Sequence, residues 1–239
     1  AGFRDVIRIN GSELEEALNS AYSGSGDTES IIICRSNKRA NLYNNEIRKR
    51  LLFREGEINA GDKIMVVKNN YFWLPKKSKA GFIANGDIAE VLRVRKLEQF
   101  TEEFWFADAS IRLLDYPEEK DIEVKLLLNT LASESPALSI ADFRKLFLAV
   151  SENYMHIPEK SKRYRMIYND PYMNALQIKF AYAMTCHKTQ GGQWEQVFVE
   201  QGYLTEEMVD KEYLRWLYTA ITRATKKLYL VNFSERFFE

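Results

Sequence analysis

The segment LYTAITRATKKLYLV, residues 217–231, has the pattern of a helix that runs directly into a strand. The preceding residues extend the helix to YLRWLYTAITRA, and its apolar positions recur at helical spacing. Arg223 stands at the junction among small residues, where alanine would pack equally well. A charge at such a point indicates a role other than packing. The predicted apolar face of the helix comprises Leu214, Leu217, Tyr218 and Ile221.

The same alternation of helix and strand begins near the N-terminus. SIIIC, residues 30–34, is a short run of β-branched residues, which is typical of a central strand in an α/β sheet. Ser12 and Glu15 have the spacing of a capping box and predict a helix over residues 12–22. A second helix is predicted over residues 37–52. Near the C-terminus, QIKFAYAMT and EQVFVEQ are predicted strands that flank a loop, so the two ends together predict one α/β domain.

The central part of the chain has a different pattern. Four segments predict successive strands, namely DKIMVVK, IAEVLRVRK, FWFADASIRLLDY and IEVKLLLNTL. Because no crossover helix separates them, they indicate an antiparallel barrel or meander inserted into the α/β domain. A helix is predicted over residues 139–154, starting at Ser139, and Pro158 and Pro171 then bracket a basic, tyrosine-rich connection.

The charge of the chain balances but is unevenly distributed. The 239 residues contain 34 Lys and Arg and 34 Asp and Glu, so the net charge alone does not indicate a nucleic-acid partner. The basic side chains nevertheless form three groups, and each is interpreted either as solvated surface or as an anion-binding patch. The groups are Arg35, Lys38, Arg39, Arg48, Lys49, Arg50 and Arg54; Lys76, Lys77 and Lys79; and Lys160, Lys162, Arg163 and Arg165.

Cysteine usage and the absence of long apolar runs indicate a cytoplasmic protein. The two cysteines, Cys34 and Cys186, lie in or beside apolar runs, which fits a reduced compartment better than a disulfide scaffold. No apolar run approaches the roughly 20 residues of a membrane span, so no membrane partner is expected. The N-terminus AGFRDVIRIN has no Met and enters a strand-like pattern at once, from which we expect an excised fragment.

The loop TCHKTQGGQW, residues 185–194, concentrates polar side chains after a predicted strand. Its two adjacent glycines allow the backbone to approach a ligand closely and to present N–H groups. No nucleophile or orienting acid accompanies His187, so a catalytic histidine is not indicated. Cys186 and His187 are adjacent without a second ligand pair, which argues against a metal site. The loop is therefore either a generic polar turn or a contact for the phosphates of a nucleotide or nucleic acid.

A second polar group falls within the predicted barrel. Asn69, Asn70 and Tyr71 end one strand, and Asn85 opens the tight turn into another. One interpretation is two ordinary turns of a small barrel. The other is an amide and aromatic surface for single-stranded nucleic acid, since stacking of bases on aromatic side chains tolerates any sequence.

Arg35 directly follows the buried strand SIIIC, at the point where α/β sheets bind ligands. An arginine there is often only a surface residue. Arg223 has a similarly constrained setting, however, and two such arginines can clamp one phosphate.

Taken together, these segments resemble the C-terminal half of superfamily 1 DNA helicases. The order IIICRSN, GDKIMVVKNNY with NGDIAEV, YAMTCHKTQGGQWEQV and LYTAITRATKKLYLV is most similar to the RecD-like branch, the exonuclease V alpha subunit type. About residues 95–170 match no motif of that family. The resemblance implies a second RecA-like motor domain of the P-loop NTPase type, formed by residues 1–58 and 172–239. Residues 59–171 would be an inserted SH3-like β-barrel with a helical tail.

The resemblance also implies roles for individual residues. Arg223 would be an arginine finger on the γ-phosphate of ATP, and Arg35 a second γ-phosphate contact, so both would be catalytic. Thr185, His187 and Lys188 would couple the nucleotide to single-stranded DNA, with Asn69, Asn70, Tyr71 and Asn85 as further DNA contacts. Gly191, Gly192 and Gln193 would border the nucleotide. Many relatives have Glu at position 193, and the uncharged Gln leaves that one contact in doubt.

The chain lacks the phosphate loop that such an arginine would serve. No G-x-x-x-x-G-K-[ST] occurs in the 239 residues, and GSGDTES has glycines but no lysine. We therefore expect the ATP and Mg²⁺ site to be completed by a preceding RecA-like domain, and no cofactor to bind tightly to this fragment alone. The expected function is that of an ATP-dependent DNA helicase in recombination or repair. It would be bacterial and cytoplasmic in type, with helicase–nuclease subunits as further partners. The alternatives are a non-catalytic nucleic-acid-binding module with a degenerate motor fold and a helicase that acts on RNA.

Overall fold

The computed structural model describes residues 3–24, 30–75 and 77–238 and divides into two compact units. The first unit is Ala1–Glu55 with Ala181–Glu239, and the second is Gly56–Phe180. The strands are β1 Val6–Ile9, β2 Ser30–Cys34, β3 Lys63–Val66, β4 Ile88–Gln99, β5 Trp105–Leu113, β6 Ile122–Leu127, β7 Leu176–Phe180, β8 Ala183–Thr185, β9 Trp194–Glu200 and β10 Ala224–Val231. The helices are α1 Leu14–Gly24, α2 Asn37–Glu46, α3 Asn129–Ala132, α4 Ile140–Glu152, α5 Lys160–Tyr168 and α6 Lys211–Ile221. No helix within the described ranges is long and apolar enough to cross a membrane.

The first unit is built on a parallel five-stranded sheet in the order β1-β10-β9-β2-β8. Every residue of β2 is buried, as expected for a strand with β9 on one side and β8 on the other. The prediction of an α/β fold for the two ends of the chain, with SIIIC as an interior strand, is confirmed. Of the segment GSGDTES before β2, residues 25–29 lie outside the described part of the chain.

The helix after β2 is capped as its sequence suggests. Ser36 Oγ accepts the Arg39 amide at 3.3 Å, and a π-helical turn, Ile47–Leu51, extends α2. Asn44, buried on the inner face of α2, accepts the amides of Tyr182 and Ala183 at 3.0 and 2.8 Å and donates to the Ala183 carbonyl at 2.8 Å. These bonds satisfy the backbone at the start of β8, which otherwise lies at the edge of the sheet.

The first helix begins with a different cap from the predicted one. Asn10 Oδ1 accepts the amides of Ser12 and Glu13 at 2.9 and 3.2 Å, and the Asn10 amide donates to Glu13 Oε2 at 2.8 Å. The capping box is therefore Asn10 with Glu13, and the predicted pair of Ser12 and Glu15 was wrong. An Asn at this position forms the same reciprocal arrangement two residues earlier.

The second unit contains a closed barrel of β3-β4-β5-β6-β7, which confirms the predicted barrel. Its strand pairs are antiparallel except β6 with β7. QIKFAYAMT was predicted as one strand, and this was wrong: its first half is β7 of the barrel and its second half is β8 of the parallel sheet. Residues 172–180, which the sequence assigned to the α/β part, are accordingly grouped with the barrel.

Two helices precede β7 in the second unit. Ser139 caps α4 by accepting the Asp142 amide at 3.1 Å, in agreement with the helix predicted there. The stretch between Pro158 and Pro171 was predicted as a connection, but it contains α5. Ile167 of α5 packs with Leu146 and Val150 of α4 and with barrel residues in one apolar cluster. Burial of this single residue anchors a helix that is otherwise polar.

The helix before Arg223 buries a different face from the predicted one. Asp210 caps α6 by accepting the Tyr213 amide at 2.8 Å, and Tyr213 and Ala220 are its buried residues. Leu214 is 55% exposed and Tyr218 is 69% exposed. The predicted apolar face was wrong, because helical spacing identifies a stripe but not the neighbours that cover it.

Candidate functional site

The carboxyl ends of parallel strands bring two predicted site segments to one edge of the first unit's sheet. Cys34 at the end of β2 pairs with Thr185 at the end of β8, so Arg35 and the loop from Cys186 start at the same level. Arg35 and His187 line one cleft of about 470 Å³. The side of a sheet where parallel strands end is where α/β proteins bind ligands.

Arg35 makes only neutral contacts with described residues at this cleft. Its Nη1 donates to the Tyr203 carbonyl at 3.4 Å, and its guanidinium lies 5.6 Å from the ring centre of Tyr213 and 6.0 Å from that of Trp216. Among the described residues, no carboxylate is within ion-pair distance of Arg35. A guanidinium that rests on aromatic faces keeps N–H donors available for an anion. Tyr213 and Trp216 were not predicted as site residues.

The loop after β8 is a short 3₁₀ helix, Cys186–Thr189, followed by a glycine turn. Thr189 is buried, and its Oγ1 donates to the Cys186 carbonyl at 2.7 Å. Burial lowers the pKa of the Lys188 amine. Burial also raises the pKa of the Cys186 thiol, which outweighs the opposing effects of the Thr189 hydrogen bond and the Arg223 charge. Cys186 is therefore a packed, protonated thiol and not a nucleophile.

The two glycines of this loop are needed for different reasons. Gly191 has φ +87° and is exposed, a backbone conformation that favours glycine. A Cβ on Gly192 would overlap the ring of Trp194. Gln193, predicted to contact a nucleotide sugar, is exposed beside them. The Gly192 amide donates to the Thr189 carbonyl at 3.1 Å, so it does not point freely outward.

Arg223 lies where α6 meets β10, and it is held by neutral oxygen atoms alone. Nε donates to the Thr219 carbonyl at 3.0 Å, Nη1 to the Gly192 carbonyl at 3.2 Å, and Nη2 to Thr222 Oγ1 at 3.1 Å. Throughout the described part of the chain, no carboxylate forms an ion pair with it. The half-buried guanidinium is thus oriented by three acceptors while its positive charge remains uncompensated.

Arg35 and Arg223 lie at opposite ends of the strands. The Arg223 carbonyl accepts the amide of Trp194, the first residue of β9, at 3.0 Å. Arg35 lies two residues beyond Ile33, which pairs with Val199 near the end of β9. At about 3.3 Å per residue, roughly 20 Å separates the two backbone positions along the strand direction. The two side chains hold different partners, and their action as a shared clamp on one phosphate stays a prediction.

The basic group of residues 35–54 is largely engaged within the first unit. Arg39 Nη2 lies 2.6 Å from Oε1 of the buried Glu200, and Arg50 Nε lies 2.7 Å from Glu46 Oε2. Arg48 is buried, and Arg54 donates to the Tyr182 hydroxyl. Within this group Arg35 is the clearest case of an exposed guanidinium that holds no acid.

In the second unit, the predicted polar cluster forms at one end of the barrel. Asn69 Oδ1 accepts the Asn85 amide at 2.8 Å, and Asn69 Nδ2 lies 3.5 Å from the Tyr71 hydroxyl. Tyr71 is 72% exposed and stacks on Phe82, with ring centres 4.8 Å apart. Phe82 was not predicted as part of this cluster. Its position three residues before Asn85, which opens the predicted turn, was the sequence signal that could have identified it.

Asn70 has a structural role inside this cluster. Its Nδ2 donates to the Asn174 carbonyl at 2.8 Å, and its Oδ1 accepts the amides of Phe72 and Trp73 at 3.0 and 3.4 Å. Asn70 is 9% exposed, and both its amide oxygen and its amide nitrogen bond within the unit. The structure therefore brings Asn69, Tyr71 and Asn85 to the surface together but turns Asn70 inward. A cleft of about 310 Å³ beside them is lined by Lys68, Asn69, Asn169 and Asn174, among others.

The described residues fit only part of a nucleotide site. An oriented arginine beside a glycine turn suits a phosphate oxygen. Within residues 3–24, 30–75 and 77–238, no group of three or more His, Cys, Asp or Glu side chains could hold a metal ion. A nucleotide with its metal would need further groups beside Arg223.

Residues 180–231 match a helicase family. The family model is described as the UvrD-like helicase C-terminal domain. No curated protein matches the chain. Among solved structures, the chain is similar to the Pif1 helicase from Candida albicans with 12% sequence identity and a TM-score of 0.43. That similarity covers 87% of this chain and 46% of the Pif1 chain, so the chain spans less than half of the length of that protein.

The matched segment divides the predicted site residues into two sets. The predicted site residues in the loop after β8 fall inside residues 180–231, and so does Arg223. Arg35 and the barrel cluster fall outside. The residues inside the segment are Thr185, His187, Lys188, Gly191, Gly192, Gln193 and Arg223.

Proposed function

We propose that this chain is the second motor domain of an ATP-dependent superfamily 1 DNA helicase of the RecD-like branch, with an SH3-like barrel inserted in it. One observation carries the proposal. Arg223 is oriented by three neutral oxygen atoms beside the glycine turn, and no described carboxylate neutralises it. It lies in the segment that matches the UvrD-like helicase C-terminal domain.

The chemistry proposed for Arg223 follows from how it is held. In phosphoryl transfer, negative charge spreads over the oxygens of the transferring group, and a fixed cation stabilises that charge. An arginine already paired with a carboxylate would have to lose that partner first. Arg223 is bonded to carbonyl and hydroxyl oxygens, so its charge can act on a phosphate without breaking an ion pair.

The carboxyl edge of the sheet is proposed to contact nucleic acid. Arg35 with its aromatic platform and His187 offer cationic, hydrogen-bonding and aromatic groups around one cleft, and Lys188 follows His187 in the same loop. In the second unit, the exposed Tyr71 with Asn69 and Asn85 supplies a separate platform for a base. The position of Arg35 favours this role over a γ-phosphate contact.

A preceding RecA-like domain of the same protein is proposed to supply the phosphate loop and the Mg²⁺ ligands. ATP hydrolysis would supply the free energy for closing and reopening the two domains during steps along one strand. Arg223 would then act only in the closed state, where it reaches the nucleotide held by the other domain. The resemblance suggests recombination or repair as the pathway and helicase–nuclease subunits as partners.

The decisive experiment is an ATPase assay of the full-length protein with and without single-stranded DNA. A motor is expected to hydrolyse ATP and to be stimulated by the DNA. A full-length protein that binds single-stranded DNA but has no ATPase activity under either condition would instead be a non-catalytic module with a degenerate motor fold. Stimulation by single-stranded RNA and not by DNA would identify an RNA-directed helicase.

A further inference from the structure

Helices α4 and α5 carry a surface to which the proposed motor assigns no role. We call it the α5 surface, and it consists of the aromatic residues Phe147, Tyr164 and Tyr168 and the basic residues Lys160, Lys162, Arg163 and Arg165. The two tyrosines that α5 contributes to this surface are not needed to pack the helix against the apolar cluster. Ile167 alone of that helix is buried in the apolar cluster, whereas Tyr164 and Tyr168 are 40% and 59% exposed.

The three aromatic rings stand next to one another. The ring centre of Phe147 is 6.2 Å from that of Tyr164 and 6.0 Å from that of Tyr168, and the two tyrosine rings are 6.5 Å apart. Neither tyrosine hydroxyl makes a hydrogen bond within the described residues. Exposed, mutually supported rings with free hydroxyls present flat faces on which another flat group can stack.

The basic residues of the α5 surface hold no acids. No carboxylate among the described residues lies within ion-pair distance of any of the four. The nearest acid in sequence, Glu159, accepts the Ser161 hydroxyl at 2.7 Å. Two other arginines of the second unit are paired instead: Arg95 with Glu123 at 2.6 Å and Arg112 with Asp121 at 3.1 Å.

Spacing along α5 places charge and aromatic rings on one side. Lys160, Tyr164 and Tyr168 are four residues apart, so they follow one another along the same face of the helix. Arg165 lies three residues before Tyr168 and therefore neighbours it on the helix surface. The helix is about 14 Å long at 1.5 Å per residue, so the row extends over more than one nucleotide.

The α5 surface continues into the barrel cluster within the same unit. Asn174 Nδ2 donates to the Tyr168 carbonyl at 2.7 Å, and Asn169 follows Tyr168. Asn169 and Asn174 line the same cleft as Lys68 and Asn69. A strand that stacks on Tyr71 at one side of this cleft can therefore pass along it to Tyr168.

We propose that the α5 surface binds single-stranded nucleic acid, with Tyr164 and Tyr168 stacking on bases and the basic residues contacting phosphates. Unpaired cations beside exposed rings match a chain that offers phosphates and unstacked bases together. In a duplex the bases stack on one another, so their faces are not accessible, and an acidic peptide has no bases. This inference rests on the proposed function and extends its nucleic-acid contact to residues that carry no family motif.

The test is binding of fluorescein-labelled dT20 to the full 239-residue chain, followed by fluorescence anisotropy over a salt series. Tyr164→Ala with Tyr168→Ala is expected to weaken binding about 25-fold or more, since each of the two lost base stacks is worth about 5-fold or more. Lys160→Gln with Arg165→Gln is expected to flatten the slope of log affinity against log salt by about 1.4, which corresponds to two lost phosphate contacts. Tyr164→Phe with Tyr168→Phe keeps the rings and is expected to keep the affinity.

The matched control is Arg95→Gln with Arg112→Gln, which removes the same charge from paired side chains of the same unit. Its salt slope should equal that of the unmodified chain. Circular dichroism spectra and melting curves identify any variant that loses its fold. The inference is wrong if the chain does not bind dT20 at low salt. It is also wrong if the tyrosine variants and the basic variants bind like the unmodified chain.

Failure of this inference can be separated from failure of the proposed function. If the α5 variants bind dT20 like the unmodified chain while DNA still stimulates the ATPase of the full-length protein, the α5 surface is not a binding site and the proposed motor function stands. A chain that binds polyglutamate as tightly as dT20, and loses both only when basic residues are replaced, has a general anion patch, which contradicts the assignment.

Discussion

Two cations in this chain are fixed in place in opposite ways. Arg223 in the first unit donates only to carbonyl and hydroxyl oxygens. Lys125 in the second unit has its Nζ 2.5 Å from Glu98 Oε1 and 2.6 Å from Asp108 Oδ1, with the Tyr172 ring centre 4.4 Å away. Both side chains are held in position, but only the charge of Lys125 is neutralised by its surroundings.

The difference in partners distinguishes Arg223, whose charge is available to a ligand, from Lys125, whose charge stabilises the fold. Carboxylates stabilise Lys125 in the ground state, so moving it toward an external anion would cost that stabilisation. Neutral oxygens orient Arg223 without cancelling its charge, and that charge acts on whatever anion comes within reach. The sequence does not show this distinction, because both residues are basic and both lie in or beside strands. It depends on which side chains the fold brings nearby.

The largest expected effect is on Arg223. In the full-length protein, Arg223→Ala is expected to lower the ATPase rate by about 10³-fold or more while it largely spares nucleotide binding, since the guanidinium acts on charge that develops in the transition state. Steady-state ATPase assays and binding of a fluorescent ATP analogue measure the two quantities. Lys226→Ala is the control, because Lys226 lies on the strand that begins directly after Arg223, is exposed and pairs with Glu195. Normal ATPase activity in the Arg223→Ala protein would show that Arg223 is not an arginine finger.

Strong local signals in the sequence predicted the elements that depend on few neighbours. SIIIC could be predicted because an uninterrupted β-branched run suits only a strand that is buried on both faces. The cap Ser139 could be predicted because the N-cap hydrogen bond forms within a single turn. Arg223 and the glycine loop stood out as residues whose types packing does not require.

The features that were missed depend on distant parts of the chain. QIKFAYAMT is largely apolar, and its pairing with distant strands, β3 and β6 in its first half and β2 in its second, shows where the barrel strand has ended and the sheet strand begins. Helix α5 carries one buried residue, Ile167, which is too little for a periodic signal. The separation of Arg35 from Arg223 follows from strand order and register, which a motif does not encode.

Removal of the Lys125 charge should be the next largest effect, and it should act on stability. Lys125→Met leaves Glu98 and Asp108 without their shared cation, at an expected cost of roughly 3 kcal/mol in the free energy of opening the barrel. Hydrogen exchange of peptides from β5 and β6 measures this locally. Arg95→Met breaks a half-exposed pair and is expected to cost less than about 1 kcal/mol. Equal costs for the two variants would contradict the view that Lys125 supports the fold.

The smallest predicted effect is the loss of a stabilising contribution of Glu98 to the barrel at acidic pH. Burial alone would raise the pKa of Glu98, but hydrogen bonds from Lys125, Lys96 and Tyr172 outweigh it and lower that pKa to about 2. A carboxyl whose pKa is depressed by folding stabilises the native state above its unfolded pKa, and this contribution is lost as pH falls through the folded value. With an ordinary value of 4.5, the window extends from about pH 4.5 down to about pH 2.

Glu98→Gln isolates this contribution from those of other carboxylates. At pH 7 the barrel of the unmodified chain should be more stable than that of the variant by about 1–2 kcal/mol, as judged by exchange of β4 and β5 peptides. Because the unmodified Glu98 loses its charge in acid whereas the variant carries a neutral amide at every pH, the difference should shrink as pH falls through the window. Arg223 has no titrating acceptor, so exchange in α6 should show no such convergence. A constant difference from pH 7 to pH 2 would mean that the Glu98 charge does not hold Lys125, and the contrast between the two cations would then rest on geometry alone.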